Sequence, residues 1–216
     1  MTQLNRRTVY ISLLCLMPFI VLCSWYLLAT NSLQHLDNIT SLAAYGIRTL
    51  SLTALFSMVT RLANPMVAVA IILFITLLLY LMSGQQRLSL WFLLANAIGS
   101  LGINPLVKNI IQRQRPEEAL RLVTESTYSF PSGHAFASIM LYGGLILIIW
   151  QTCKSGAIRT GATLFLGLVI LLIGCSRIYL GVHYLSDVIA GYSLGLSWLI
   201  LSDQLFGPTT SIPLDK

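Results

Sequence analysis

Residues 131–152 read PSGHAFASIMLYGGLILIIWQT. From His134 to Thr152 the stretch holds no Asp, Glu, Lys or Arg, and its length approaches the roughly 20 residues that carry a helix across bilayer hydrocarbon. A segment in lipid must satisfy its own backbone groups, so the predicted element is a transmembrane helix. Its first residues differ in kind. Ser132 is a favoured N-cap, Gly133 permits close approach to the backbone, and the free N–H groups of a helix start attract anions. His134 follows at once. An apolar helix therefore opens on a polar end suited to an anion.

Five further apolar runs flank this one: Thr8 to Ala29, Met66 to Met82, Leu88 to Ile111, Thr160 to Gly174 or somewhat beyond, and Ser186 to Phe206. The expected fold is all-α, a polytopic membrane protein of six transmembrane helices forming a single domain over residues 1–216. Composition agrees. Charged residues make up 9% of the chain, against roughly 25% in soluble domains, and mean hydropathy is +0.80. The first run is too long for the apolar core of a secretory signal and shows no clear small-x-small cleavage site, so it reads as a retained span. Between Asn31 and Asn64, apolar residues recur at mostly helical intervals among Ser, Thr and Arg. That pattern predicts an interfacial helix in the first external segment, with a short re-entrant or irregular segment as the alternative.

The net charge of +6 is scattered among loops and forms no basic stripe, which argues against nucleic acid as a partner. Cys15, Cys23, Cys153 and Cys175 lack CxxC or Cys/His spacing, so they read as buried small hydrophobes rather than metal ligands or a disulfide framework. Arg6 and Arg7 precede the first span and place the N-terminus in the cytoplasm; an even number of spans brings the C-terminus to the same side. Arg6, Arg7, Arg87, Lys154, Arg159 and Lys216 then lie inside, six in all. Arg48, Arg61, Lys108, Arg113, Arg115, Arg121 and Arg177 lie outside, seven in all. Setting Lys108, Arg115 and Arg177 aside as site residues leaves four outside against six inside, a weak bias in the expected direction.

Alternation of spans has a consequence independent of orientation. The end of the third span, the start of the fourth, the end of the fifth and the start of the sixth share one face, and they carry Lys108, His134, Arg177, and His183 with Asp187. Ionisable groups near hydrocarbon usually face a bundle interior or a water-filled cavity, so a shared pocket is expected. Lys108 and Arg115 are about two helical turns apart and would project together if the helix continues that far. His183 and Asp187 are four apart, a spacing that on one helical face lets the carboxylate fix the imidazole tautomer and leave the other nitrogen free to attack.

As a set, these residues resemble the three signatures of the type 2 phosphatidic acid phosphatase superfamily. Lys108, six residues and Arg115-Pro116 match the first, Pro131-Ser132-Gly133-His134 the second, and Ser176-Arg177 with His183 and Asp187 the third. The resemblance implies a metal-independent hydrolase without cofactor, acting on a lipid phosphate at a bacterial cytoplasmic membrane; the charge bias above turns the expected site to the outside. It also implies roles: His183 the nucleophile that forms a phosphohistidine, Asp187 its orienting group, and His134 the general acid. Lys108, Arg115, Ser132, Gly133 and Arg177 are implied as the phosphate cradle. Candidate substrates are undecaprenyl pyrophosphate, phosphatidylglycerophosphate and phosphatidic acid. A phosphotransferase using the same site, or a non-catalytic transporter or binding protein for anionic lipids, would carry similar residues. The external segment from Gln112 to Phe130 is expected to cover the site, with Glu117, Glu118 and Glu125 opposing Arg113 and Arg121 or simply solvated.

Overall fold

The computed structural model describes residues 5–82 and 84–208; Lys216 and the tail beyond 208, read above as cytoplasmic, lie outside the described residues. Among the described residues eight longer helices follow one another, with a 3-10 turn at Glu118–Leu120 between the fifth and sixth: α1 (Arg6–Leu28), α2 (Thr30–Gly46), α3 (Leu50–Arg61), α4 (Pro65–Leu81), α5 (Gln86–Ile111), α6 (Gly133–Thr152), α7 (Gly156–Tyr179) and α8 (Leu185–Phe206). Helices α1, α5, α6, α7 and α8 are long and apolar enough to cross a membrane, and α4, at 17 residues, sits at the short end of that range. Every predicted span is therefore a helix.

The segment predicted as one interfacial helix is two. α2 and α3 meet at 120° across a short break, the shape of either a broken span or a re-entrant loop. α2 stops at Gly46, and Thr49 restarts the chain as an N-cap whose hydroxyl accepts from Leu52 N at 3.2 Å. Arg48 fixes the corner by donating through Nε and Nη2 to the carbonyl of Tyr179, at 3.0 and 2.8 Å. Helix α7 also exceeds its expected bounds. Ser155 caps it five residues before Thr160, and Cys175, Ile178 and Tyr179 carry its apolar pattern past Gly174, so Arg177 lies in its last turn.

Helix α8 is the hub, packed on α1, α5, α6 and α7. Trp91, Phe92, Phe136, Met140 and Ile173 are fully buried in the core. Between α1 and α8 the glue is polar: Ser12 Oγ donates to the Ser197 carbonyl at 3.0 Å and Ser193 Oγ to that of Cys15 at 2.5 Å, the type of contact that holds helices together where lipid removes a hydrophobic drive. Short π-helical segments interrupt α5 at Ile98–Ile103 and α6 at Ile139–Gly143. The four cysteines are free, with Cys175 exposed and the others half-buried, so they are not the buried hydrophobes expected from the sequence.

Candidate active site

The turn between α7 and α8 places His183. Gly181 has φ +75°, and a Cβ there would meet the Leu120 carbonyl oxygen at 2.5 Å, so glycine serves both the left-handed turn and the close passage of the 112–130 loop. The loop is tied down by Leu122 N donating to the Leu180 carbonyl at 2.9 Å. His183 precedes α8, whose N-cap is Tyr184, and Asp187 is the third helical residue. The pair therefore does not share a helical face as the spacing predicted. Instead, the chain enters the helix through a capping box in which Asp187 Oδ2 accepts from Tyr184 N at 2.9 Å, which turns the carboxylate back toward the preceding imidazole.

His183 Nδ1 lies 3.5 Å from Asp187 Oδ2 and 3.3 Å from Ser129 Oγ, and that hydroxyl donates to the same carboxylate oxygen at 2.6 Å. On the other side of the ring, Arg115 Nη1 stands 3.1 Å from Nε2. A guanidinium only donates, so Nε2 accepts and the ring proton belongs on Nδ1. His183 is 1% exposed. Burial, with the positive charges of Arg115, Lys108 and Arg177 and the neighbouring His134, holds its pKa well below the usual histidine value, so the ring is neutral.

The start of α6 faces this ring. Ser132 Oγ caps the helix by accepting from Ala135 N at 3.5 Å, while Ser132 N donates to the Asp187 carbonyl at 2.9 Å. A Cβ at Gly191 would stand 2.6 Å from the Ser132 carbonyl oxygen, so a glycine in α8 lets the two helix starts touch. Gly133 abuts Lys108 Cε and Asn104 Oδ1. His134 is half-buried, without a hydrogen bond among the described residues, and within electrostatic range of Arg177, Arg115, Lys108 and His183.

Each cation is braced from behind. Lys108 Nζ donates to the Tyr128 carbonyl at 2.5 Å. Arg115 does not extend α5, because Gln112 takes a left-handed conformation at φ 51° that ends the helix, and a residue before proline disfavours helix. Arg115 returns to the site through the loop, donating to the carbonyls of Thr127 at 2.6 Å and Val182 at 2.7 Å. Burial, opposed by Glu125, lowers its pKa to about 10. Arg177 donates through Nη1 to Thr60 Oγ1 at 2.7 Å and pairs through Nη2 with Glu125; its Nε is buried without a partner among the described residues. All eight residues named from sequence thus meet at one end of the bundle.

Several neighbours escaped the sequence reading. Arg113, expected to oppose loop glutamates, is 1% exposed and holds Asp187 Oδ1 at 2.7 Å, Asp37 Oδ2 at 2.6 Å and Ser186 Oγ at 2.6 Å. Burial works against its charge, but the two carboxylates outweigh it and raise its pKa. Asp37 Oδ1 also accepts from Ser186 N at 3.0 Å. One signal was available: Asp37 is the only acidic residue before Glu117. Asn104, one turn before Lys108, has a buried Nδ2 with no partner among the described residues. Glu125 bridges Arg177 and Arg115 rather than Arg113 and Arg121.

Residues 88–209, which include every one of these signature positions, match the PAP2 superfamily. The chain belongs to the PAP2 superfamily. It is 31% identical over 180 residues to phosphatidylglycerophosphatase B of Bacillus subtilis, covering 77% of this chain and 81% of that one. It is 33% identical over 119 residues to decaprenylphosphoryl-5-phosphoribose phosphatase of Mycobacterium tuberculosis, covering 52% and 59% respectively. Its structure superposes with a TM-score of 0.82, at 28% identity, on the crystal structure of a transmembrane PAP2-type phosphatidylglycerolphosphate phosphatase from Bacillus subtilis, over 89% of this chain and 94% of that one. This PAP2 chain is accordingly a membrane phosphatase of the lipid phosphatase class.

Proposed function

We propose that this protein dephosphorylates a lipid phosphate through a phosphohistidine at His183, without a metal, and that phosphatidylglycerophosphate is its preferred substrate. The observation that carries the mechanism is the two-sided hold on His183, with Nδ1 turned to Ser129 and Asp187 and Nε2 presented beside Arg115. The Nε2 lone pair attacks phosphorus, the bond from phosphorus to the lipid oxygen breaks, and protonated His134 gives its proton to the leaving oxygen. Neutral His134 then takes a proton from water, whose oxygen attacks phosphorus; the phosphorus–nitrogen bond breaks and phosphate and His183 are released. Lys108, Arg115, Arg177, Ser132 and the Gly133 N–H hold the equatorial oxygens, and preorganised positive charge of this kind stabilises the spreading charge of phosphoryl transfer. The substrate preference rests on the relative that shares most of its length with this chain. The site lies on the outer face of the membrane with both termini cytoplasmic, a reading that rests on the weak excess of inner Lys and Arg.

Purified protein assayed in detergent with EDTA against phosphatidylglycerophosphate, phosphatidic acid and undecaprenyl pyrophosphate tests this. Phosphate release is expected from all three, fastest per enzyme from phosphatidylglycerophosphate, with an acid-labile phosphoenzyme absent in His183→Ala. Loss of activity in EDTA restored by magnesium refutes the cation cradle, and transfer of phosphate to an added alcohol in place of water makes the protein a phosphotransferase.

A further inference from the structure

We propose that Glu125 sets the anion specificity of the site: its carboxylate occupies the place of the substrate phosphate and gives way to a phosphomonoester or diphosphate, but not to the phosphodiester headgroups of ordinary bilayer lipids. This rests on the phosphatase reading above. Glu125 Oε1 is hydrogen-bonded to Arg177 Nη2, and Oε2 lies 3.6 Å from Arg115 Nη2, so the one loop carboxylate bridges two of the three cations assigned to the cradle.

The partners differ in freedom. The Arg115 and Arg177 side chains are 5% and 2% exposed, and both are held from behind by Thr127, Val182 and Thr60. The Glu125 side chain is 24% exposed, and residues 121–132 form no helix or strand. A cavity of about 470 Å³, lined in part by Gln114, Arg115, Arg121, Glu125 and Tyr128, opens beside it. When an anion enters, the guanidinium groups stay and the carboxylate has room to leave.

Charge decides which anions succeed. A phosphomonoester carries about −1.5 to −2 near neutral pH with three acceptor oxygens, and two guanidiniums bind it more strongly than a single carboxylate. A phosphodiester carries a single negative charge, the same as the carboxylate it must displace, and the tethered carboxylate is already in place. Specificity arises from that difference. Without Glu125, three unscreened cations would face a membrane in which diester headgroups vastly outnumber substrate, and those headgroups would fill the cradle.

The experiment compares full-length wild type with Glu125→Gln and Glu125→Ala, each verified as monodisperse in detergent. Inorganic phosphate is titrated calorimetrically, and hydrolysis of dioctanoyl phosphatidic acid is measured against added dioctanoyl phosphatidylglycerol. Removing the competitor is expected to tighten phosphate binding about fivefold, the scale of a partly exposed ion pair, and to let the diester inhibit at a correspondingly lower concentration. Phosphate binding that is unchanged or weaker in both variants makes Glu125 an anchor for the loop and overturns the proposal, as does unaltered diester inhibition. The phosphate titration needs no turnover, so it separates failure of this inference from failure of the phosphatase reading.

Discussion

Two carboxylates face the same site from opposite sides and are held in opposite ways. Asp187, on the floor, is fully buried and accepts from Tyr184 N, Ser129 Oγ and Arg113, whose own second arm is fixed by Asp37. Glu125, on the roof, is partly exposed and pairs with Arg177 and Arg115. Burial with complete hydrogen bonding makes the floor a fixed frame for His183, whereas partial exposure leaves the roof carboxylate room to move, which the proposed exchange with an anion requires. The difference teaches that one end of a helix bundle can hold one charge network that is costly to break beside another that breaks easily.

Loss of the group aimed by the floor has the largest expected effect. His183→Ala should lower turnover by roughly 10⁴-fold or more, as removal of a nucleophile does, and turnover within tenfold of wild type would show that the floor aims something else. Asp187→Asn keeps the shape but alters the hydrogen bonding around Nδ1; kcat should fall by about 10² to 10⁴-fold, read in steady-state kinetics with KM followed separately.

Arg113→Ala probes the frame itself. It strands Asp37 and Asp187 in the interior, which costs on the order of 3–5 kcal/mol, visible as a large drop in thermal unfolding temperature in detergent. The same change at Arg121, half-buried and donating through Nε to the Pro116 carbonyl at 2.8 Å, should cost only about 1 kcal/mol, and equal losses at the two positions would erase the distinction between floor and roof.

Acid reaches the floor through His183. His183 is neutral in the folded protein but, once unfolded, takes a proton near its ordinary pKa of 6.5. The unfolded state therefore binds more protons below that value, so stability is full above about pH 6.5 and declines as pH falls below it. For the same reason, the acid limb of kcat/KM due to His183 should lie below pH 6.5, and a limb at or above the ordinary histidine value would show that His183 is not held neutral. The smallest effect is expected from Thr60→Val, which removes the acceptor behind Arg177. KM should rise about fivefold, the scale of one hydrogen bond to a charged group, with the phosphoenzyme still formed.

The chain's own order of residues determined that six apolar segments form helices and that Lys108, His134, Arg177, His183 and Asp187 gather at one end, because hydrophobic length and alternation of spans are local and countable. Spacing also marked the His183 and Asp187 pair, although a helical face was the wrong reason for it. Only the tertiary structure decided that a capping box turns Asp187 back toward His183, that Arg113 lies against Asp187 instead of opposing the loop glutamates, and that Asp37 in α2 reaches across to it. The contacts of Arg113 and Asp37 link residues 73 to 149 positions apart in the chain, and no periodicity records a partner at that distance. Which charges are buried beside one another, and so which are fixed and which can yield, depends on how the helix ends pack.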